Sequence, residues 1–81
     1  MTQAEDLSTD IQQRIEAKIS NAQVQVIQAS DKHYALIVIS KTFAGMPQVK
    51  QHQLVYSAIT ELMTGNDAPI HAIDKMDLRT E

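Results

Sequence analysis

Apolar residues recur at every fourth position near the start of the chain, at Leu7, Ile11, Ile15 and Ile19, with Gln12, Gln13, Arg14, Glu16 and Lys18 between them. That spacing draws one apolar stripe along a helix and turns the polar residues to solvent. Thr9-x-x-Gln12 and Thr2-x-x-Glu5 both match a capping box, which leaves two starts open. Asn21 is the expected end, because asparagine tolerates the left-handed conformation that closes many helices. The period then changes. Gln23-Val24-Gln25-Val26 alternates polar and apolar, as a half-buried strand does, and Ser30-Asp31-Lys32 supplies turn residues. Tyr34 to Ile39 follows as the longest uninterrupted apolar run, rich in β-branched residues. Being apolar on both alternations, it predicts a central strand, or one whose second face is kept apolar for a partner.

A second helix is bounded more sharply. Gly45-Met46-Pro47 puts proline at a first helical position, where its missing N–H costs nothing. Val55, Ala58, Ile59, Leu62 and Met63 form its apolar stripe, and Thr64-Gly65-Asn66 closes it with a glycine. Residues Asn66 to Pro69 turn the chain into a last strand running from Ile70 to about Met76. A strand, a crossover helix and a strand place that last strand parallel to the second. The expected fold is α+β: one α-β-β-α-β domain over residues 1–81, both helices on one face of a three-stranded mixed sheet. Residues 1–6 are expected to be flexible and 77–81 to be a short tail.

Composition narrows the class. A chain of 81 residues has room for one modest core, burying roughly 60–65% of its unfolded surface. With no cysteine, neither a disulfide nor a cysteine-based zinc site can reinforce it. An apolar content of 43% still fits a folded domain. No apolar run approaches a membrane span, and no basic-then-apolar leader opens the sequence, which points to a soluble, cytoplasmic protein. Seven Lys and Arg against ten Asp and Glu give a net charge of −3, which disfavours binding to a phosphate backbone.

Catalytic patterns are missing. There is no cysteine nucleophile, no Gly-x-Ser-x-Gly elbow and no phosphate-binding glycine loop. Ser57 and His52 are five apart on one helix and so fall on different faces. Asp74 and Asp77 carry no specific signal in an acidic chain. The expectation is a non-enzyme. Three histidines remain. His52 sits at the edge of the second helix's apolar stripe, where a half-buried ring hydrogen-bonded to nearby backbone is the simplest reading. His33 opens the second strand, where an exposed edge residue is the default. His71 lies between Ile70 and Ala72 as the polar half of an alternating strand.

In order, the string His33-Tyr34, Ser40, Phe43-x-Gly45, His52-x-Leu54-Val55 and Ile70-His71-Ala72 resembles the BolA-like family in its short bacterial IbaG-type form. The match runs from about residue 7 to residue 73. The family's usual Arg-His-Arg reads Gln51-His52-Gln53 here, and its closing Thr-Pro-x-x-Trp has no counterpart before Thr80-Glu81. The resemblance implies a domain that pairs as a heterodimer with a monothiol glutaredoxin and shares a [2Fe–2S] cluster with it. Alone, the chain would be cluster-free and monomeric or a weak homodimer. The family's cluster-ligating histidine matches His71. A second ligand comes from the loop between the first two strands, where His33 is the one histidine at hand. Two histidines on one iron are a known arrangement. A chain without cysteine holds such a cluster only if the partner brings the thiolates. Histidine coordinates as the neutral ring, so the complex is expected to weaken in acid, in keeping with a role in acid or oxidative stress.

The competing expectation is a DNA-binding transcription regulator, because α-β-β-α-β is close to a KH-like domain of the second type and BolA-like proteins are also described as regulators. Lys41 and Lys50, flanking Phe43-Ala-Gly45, are the basic pair such a role would use. KH modules clamp the backbone with Gly-x-x-Gly, which Gly65-Asn-Asp-Ala does not reproduce.

Overall fold

Two periodicities, four residues in the helices and two in the strands, meet in a single apolar layer. The computed structural model describes residues 7–65 and 68–80. The segment 1–6, with its capping box Thr2-x-x-Glu5, and the turn residues Asn66 and Asp67 lie outside the described residues. Helix α1 spans Ser8–Lys18, strand β1 Gln23–Ser30, strand β2 His33–Ile39, helix α2 Gln48–Ile59 and strand β3 Ala72–Arg79, with short 3-10 turns at Lys41–Phe43 and Thr60–Met63. The sheet order is β1-β2-β3, antiparallel between β1 and β2 and parallel between β2 and β3. The expected α-β-β-α-β topology and mixed sheet are therefore present, with β2 in the centre.

The core is one cluster. Ile11, Ile15 and Ile19 of the first stripe, Val55, Ile59 and Leu62 of the second, and Tyr34, Leu36 and Val38 of β2 are all buried, joined by Phe43 and Ile70. Each such side chain withdrawn from water contributes about 1.5–3 kcal/mol. On β2 the buried residues alternate with half-buried Ala35, Ile37 and Ile39 on the opposite face. Val24 and Val26 of β1 and Ile73, Met76 and Leu78 of β3 pack against the cluster from either side.

Several boundaries differ from the sequence-based expectation. Thr9 lies within α1, which starts at Ser8 after Leu7 without a side-chain cap. Ile19 already leaves the helix in extended backbone so that its side chain can enter the core, and Asn21 takes the left-handed conformation (φ 54°) in the turn that follows. Pro47 stands one residue before α2, with ψ 150°, rather than at its first position. Gly65 (φ 100°) closes a 3-10 turn rather than α2 itself. The last strand begins two residues later than expected, at Ala72, and ends three later, at Arg79, so residues 77–79 belong to the sheet and not to a tail.

Candidate functional site

The turn between β1 and β2 builds the site. Lys32 adopts a left-handed backbone (φ 63°), which costs a non-glycine residue free energy and points its carbonyl away from its own hairpin. That carbonyl accepts the N–H of His71 at 2.7 Å and of Ala72 at 3.2 Å. It thereby seats the chain entering β3 against the start of β2. Ile70 just before is buried, its N–H bonded to the Leu62 carbonyl at 3.0 Å. His71 is accordingly turned out to solvent.

Parallel pairing does the rest. Because β3 runs in the same direction as β2, the two strands start at the same end of the sheet, and His33 pairs with Ala72. The rings of His33 and His71 approach edge to face, with centroids 5.9 Å apart and planes at 72°. His33 is half-buried, and its Nδ1 lies 2.9 Å from Oδ1 of Asp74. Asp74 was legible in the sequence only as one carboxylate among many; no local pattern marks it.

The fit to a metal group can be judged from this arrangement. With nitrogen–metal bonds of about 2 Å, two imidazoles on one ion have ring centres roughly 5–6 Å apart. The His33–His71 centroids, 5.9 Å apart, lie at the wide end of that range, and the exposure of the pair leaves room for a second protein. Among the described residues no three His, Asp or Glu side chains gather to hold a metal by themselves. Two nitrogens fill only part of a coordination shell, so the remaining ligands must come from outside the chain.

The other sequence candidates lie elsewhere. His52 is half-buried on α2, beside Gln48 and Val49 in a shallow surface hollow. The expected hydrogen bond from its ring to backbone is not found among the described residues. Its neighbour Gln51 carries the local structural role, donating from Nε2 to the carbonyls of Met46 (2.9 Å) and Phe43 (3.3 Å). That amide holds the loop in which Gly45 needs a positive φ of 74°. Lys41 is exposed just past the far end of β2, roughly 20 Å along the strand from His33 at about 3.3 Å per residue, and Lys50 is exposed in the first turn of α2.

A small α-β-β-α-β domain whose parallel strands bring two histidines together at their starts defines a recognisable class. The family model described as BolA-like protein matches residues 7–81, and the chain belongs to the BolA-like family. It is 36% identical over 44 residues to BolA-like protein 1 of the mouse, a stretch covering 54% of this chain and 30% of that protein. The matched stretch thus spans less than a third of the length of that relative. A BolA protein homologue from Coxiella burnetii superposes with a TM-score of 0.71 at 29% identity, covering 99% of this chain and 92% of the other. BolA1 from Arabidopsis thaliana gives 0.76 at 20% identity over 95% of each chain, a likeness of fold.

Proposed function

We propose that this protein is a short, IbaG-type, non-enzymatic iron–sulfur adaptor of the cytoplasm. It binds a monothiol glutaredoxin as a heterodimer, and His33 and His71 supply nitrogen ligands to a [2Fe–2S] cluster shared across the interface. The observation that carries this reading is the 5.9 Å approach of two imidazoles in a chain with no cysteine of its own. Coordination by two histidines raises a cluster's reduction potential above that of an all-thiolate site.

Within this chain, Lys32 holds the His71 backbone by its carbonyl and the β2–β3 pairing holds His33 beside it. Both rings stand at a half-exposed edge, where a partner's thiolates could complete the ligand set of the same cluster. No helix among the described residues is long and apolar enough to cross a membrane.

The test mixes the chain with a cluster-loaded monothiol glutaredoxin and follows visible absorption and circular dichroism. The wild-type chain is expected to give a spectrum distinct from that of the loaded glutaredoxin alone. His71→Ala and His33→Ala are each expected to lose it. An unchanged spectrum in His71→Ala would remove the ligand assignment, and no new spectrum with the wild type would remove the adaptor role.

A further inference from the structure

One residue of β3 is out of step with its neighbour strand. Tyr34 pairs with Ile73, but the next residue of β2, Ala35, pairs with Lys75. Asp74 is the extra residue, with no opposite number on β2. A bulge of this kind breaks the alternation of side chains and re-aims the one it inserts, and it is rare in parallel ladders. Here it brings the Asp74 carboxylate onto His33, with Oδ1 2.9 Å from Nδ1.

The chemistry of that contact is one-sided. An ionised carboxylate has only acceptor oxygens, so the ring nitrogen must be the donor. In the neutral ring Nδ1 therefore carries the proton, and Nε2 is left as the bare nitrogen with its lone pair free. A neutral imidazole in water favours the opposite tautomer, with Nε2 protonated and blocked. Stability gives no reason for the contact: the side chains are 36% and 46% exposed, and an ion pair that open contributes little.

We propose that Asp74 is a positioning residue for the histidine pair: it fixes His33 in the Nδ1–H tautomer and so makes Nε2 the nitrogen that ligates. This rests on the role of His33 proposed above. Histidines that hold metals nearly always donate their second ring N–H to a carboxylate, carbonyl or water, and losing that partner typically costs 10–100-fold in metal affinity. The two rings of this site are prepared differently. That of His71 has no such partner among the described residues and meets only the ring of His33.

The test compares wild type, Asp74→Ala and Asp74→Asn, with equal urea midpoints as the check that all three are folded. Long-range proton–nitrogen NMR of the free chain, at about pH 8 where unperturbed imidazoles are neutral, reads the tautomer of each ring. His33 is expected as Nδ1–H in the wild type, as mainly Nε2–H in Asp74→Ala, and again as Nδ1–H in Asp74→Asn, whose amide oxygen still accepts. His71 is expected to look alike in all three. In titrations with cluster-loaded monothiol glutaredoxin, Asp74→Ala is expected to bind about 10–100-fold more weakly, with Asp74→Asn recovering most of the loss. A wild-type His33 in the Nε2–H form, or a tautomer indifferent to Asp74→Ala, overturns the proposal. So does a changed tautomer with unchanged binding. If the wild-type chain takes up no cluster, the adaptor role and the ligand half of this proposal fall together, while the tautomer is still decided on the free chain.

Discussion

Ser40 is the buried polar side chain among the described residues, 2% exposed, and its removal measures how the crossover is tied down. Its Oγ donates to the Ser20 carbonyl at 2.9 Å and accepts the Thr42 N–H at 3.1 Å. It thus links the end of α1 to the 3-10 turn that follows β2. Its own N–H donates to the Arg79 carbonyl at 2.9 Å and fastens the end of β3. Ser40→Ala removes both side-chain bonds and little volume. Each bond contributes about 1 kcal/mol net, and more where the abandoned partner stays dry. Ser20 and Thr42 are exposed residues, so water recovers part of the loss, and the expected cost is about 2 kcal/mol. A chain of this size has a total stability of roughly 4–12 kcal/mol, so the effect should be plain. Urea unfolding followed by circular dichroism should show a midpoint lower by roughly 1–2 M at an unchanged slope, and melting should fall by roughly 8–16 °C. Ser57→Ala is the control. That hydroxyl also makes one bond, to the Leu54 carbonyl at 2.6 Å, but at an exposed helix position. Alanine is the better helix former there, so the change should stay within about 0.5 kcal/mol of wild type. If Ser40→Ala costs no more than Ser57→Ala, burial of the hydroxyl is not what gives it weight, and the reasoning fails.

Two further outcomes are expected. Lys32→Gly removes the cost of a left-handed lysine (φ 63°) while keeping the carbonyl that seats His71, and should stabilise the chain by about 0.5–1 kcal/mol; a comparable destabilisation in urea unfolding would show that the Lys32 side chain matters more than its backbone. Asp77 is held below its ordinary carboxylate value of 3.8 by its hydrogen bonds to Arg79, at 2.7 and 3.2 Å. A depressed carboxyl stabilises the fold above the ordinary value and loses that contribution as pH falls through the lowered one. The gap in urea midpoint between wild type and Asp77→Asn should therefore be present at neutral pH and close below the ordinary carboxylate range. A gap that widens on acidification would reverse the sign.

Both apolar stripes were legible because helices bury residues on a fixed period, and Ile11, Ile15, Ile19, Val55 and Ile59 are all in the core. The run from Tyr34 to Ile39 announced a central strand for the same reason. The misplaced boundaries have a different cause, since periodicity does not record the individual backbone bonds that start and end an element. The last strand starts at Ala72 because Lys32 takes the N–H groups of His71 and Ala72, and Gln51 holds the loop that keeps Pro47 outside α2. Lys32 and His71 lie far apart in sequence, and the bonds of Gln51, reaching five and eight residues back, follow no recognised local motif.

By itself the sequence determined the order of elements, the core-facing residues, the absence of thiolates and, through its resemblance to a family, the importance of His71. Only the tertiary structure decided that His33 stands 5.9 Å from His71, because that depends on β2 and β3 starting at the same end of the sheet. It alone decided that Asp74 faces His33, since a bulge belongs to the register between two strands. Periodicity records which side of an element is buried. Which side chains meet at its ends is settled by the pairing.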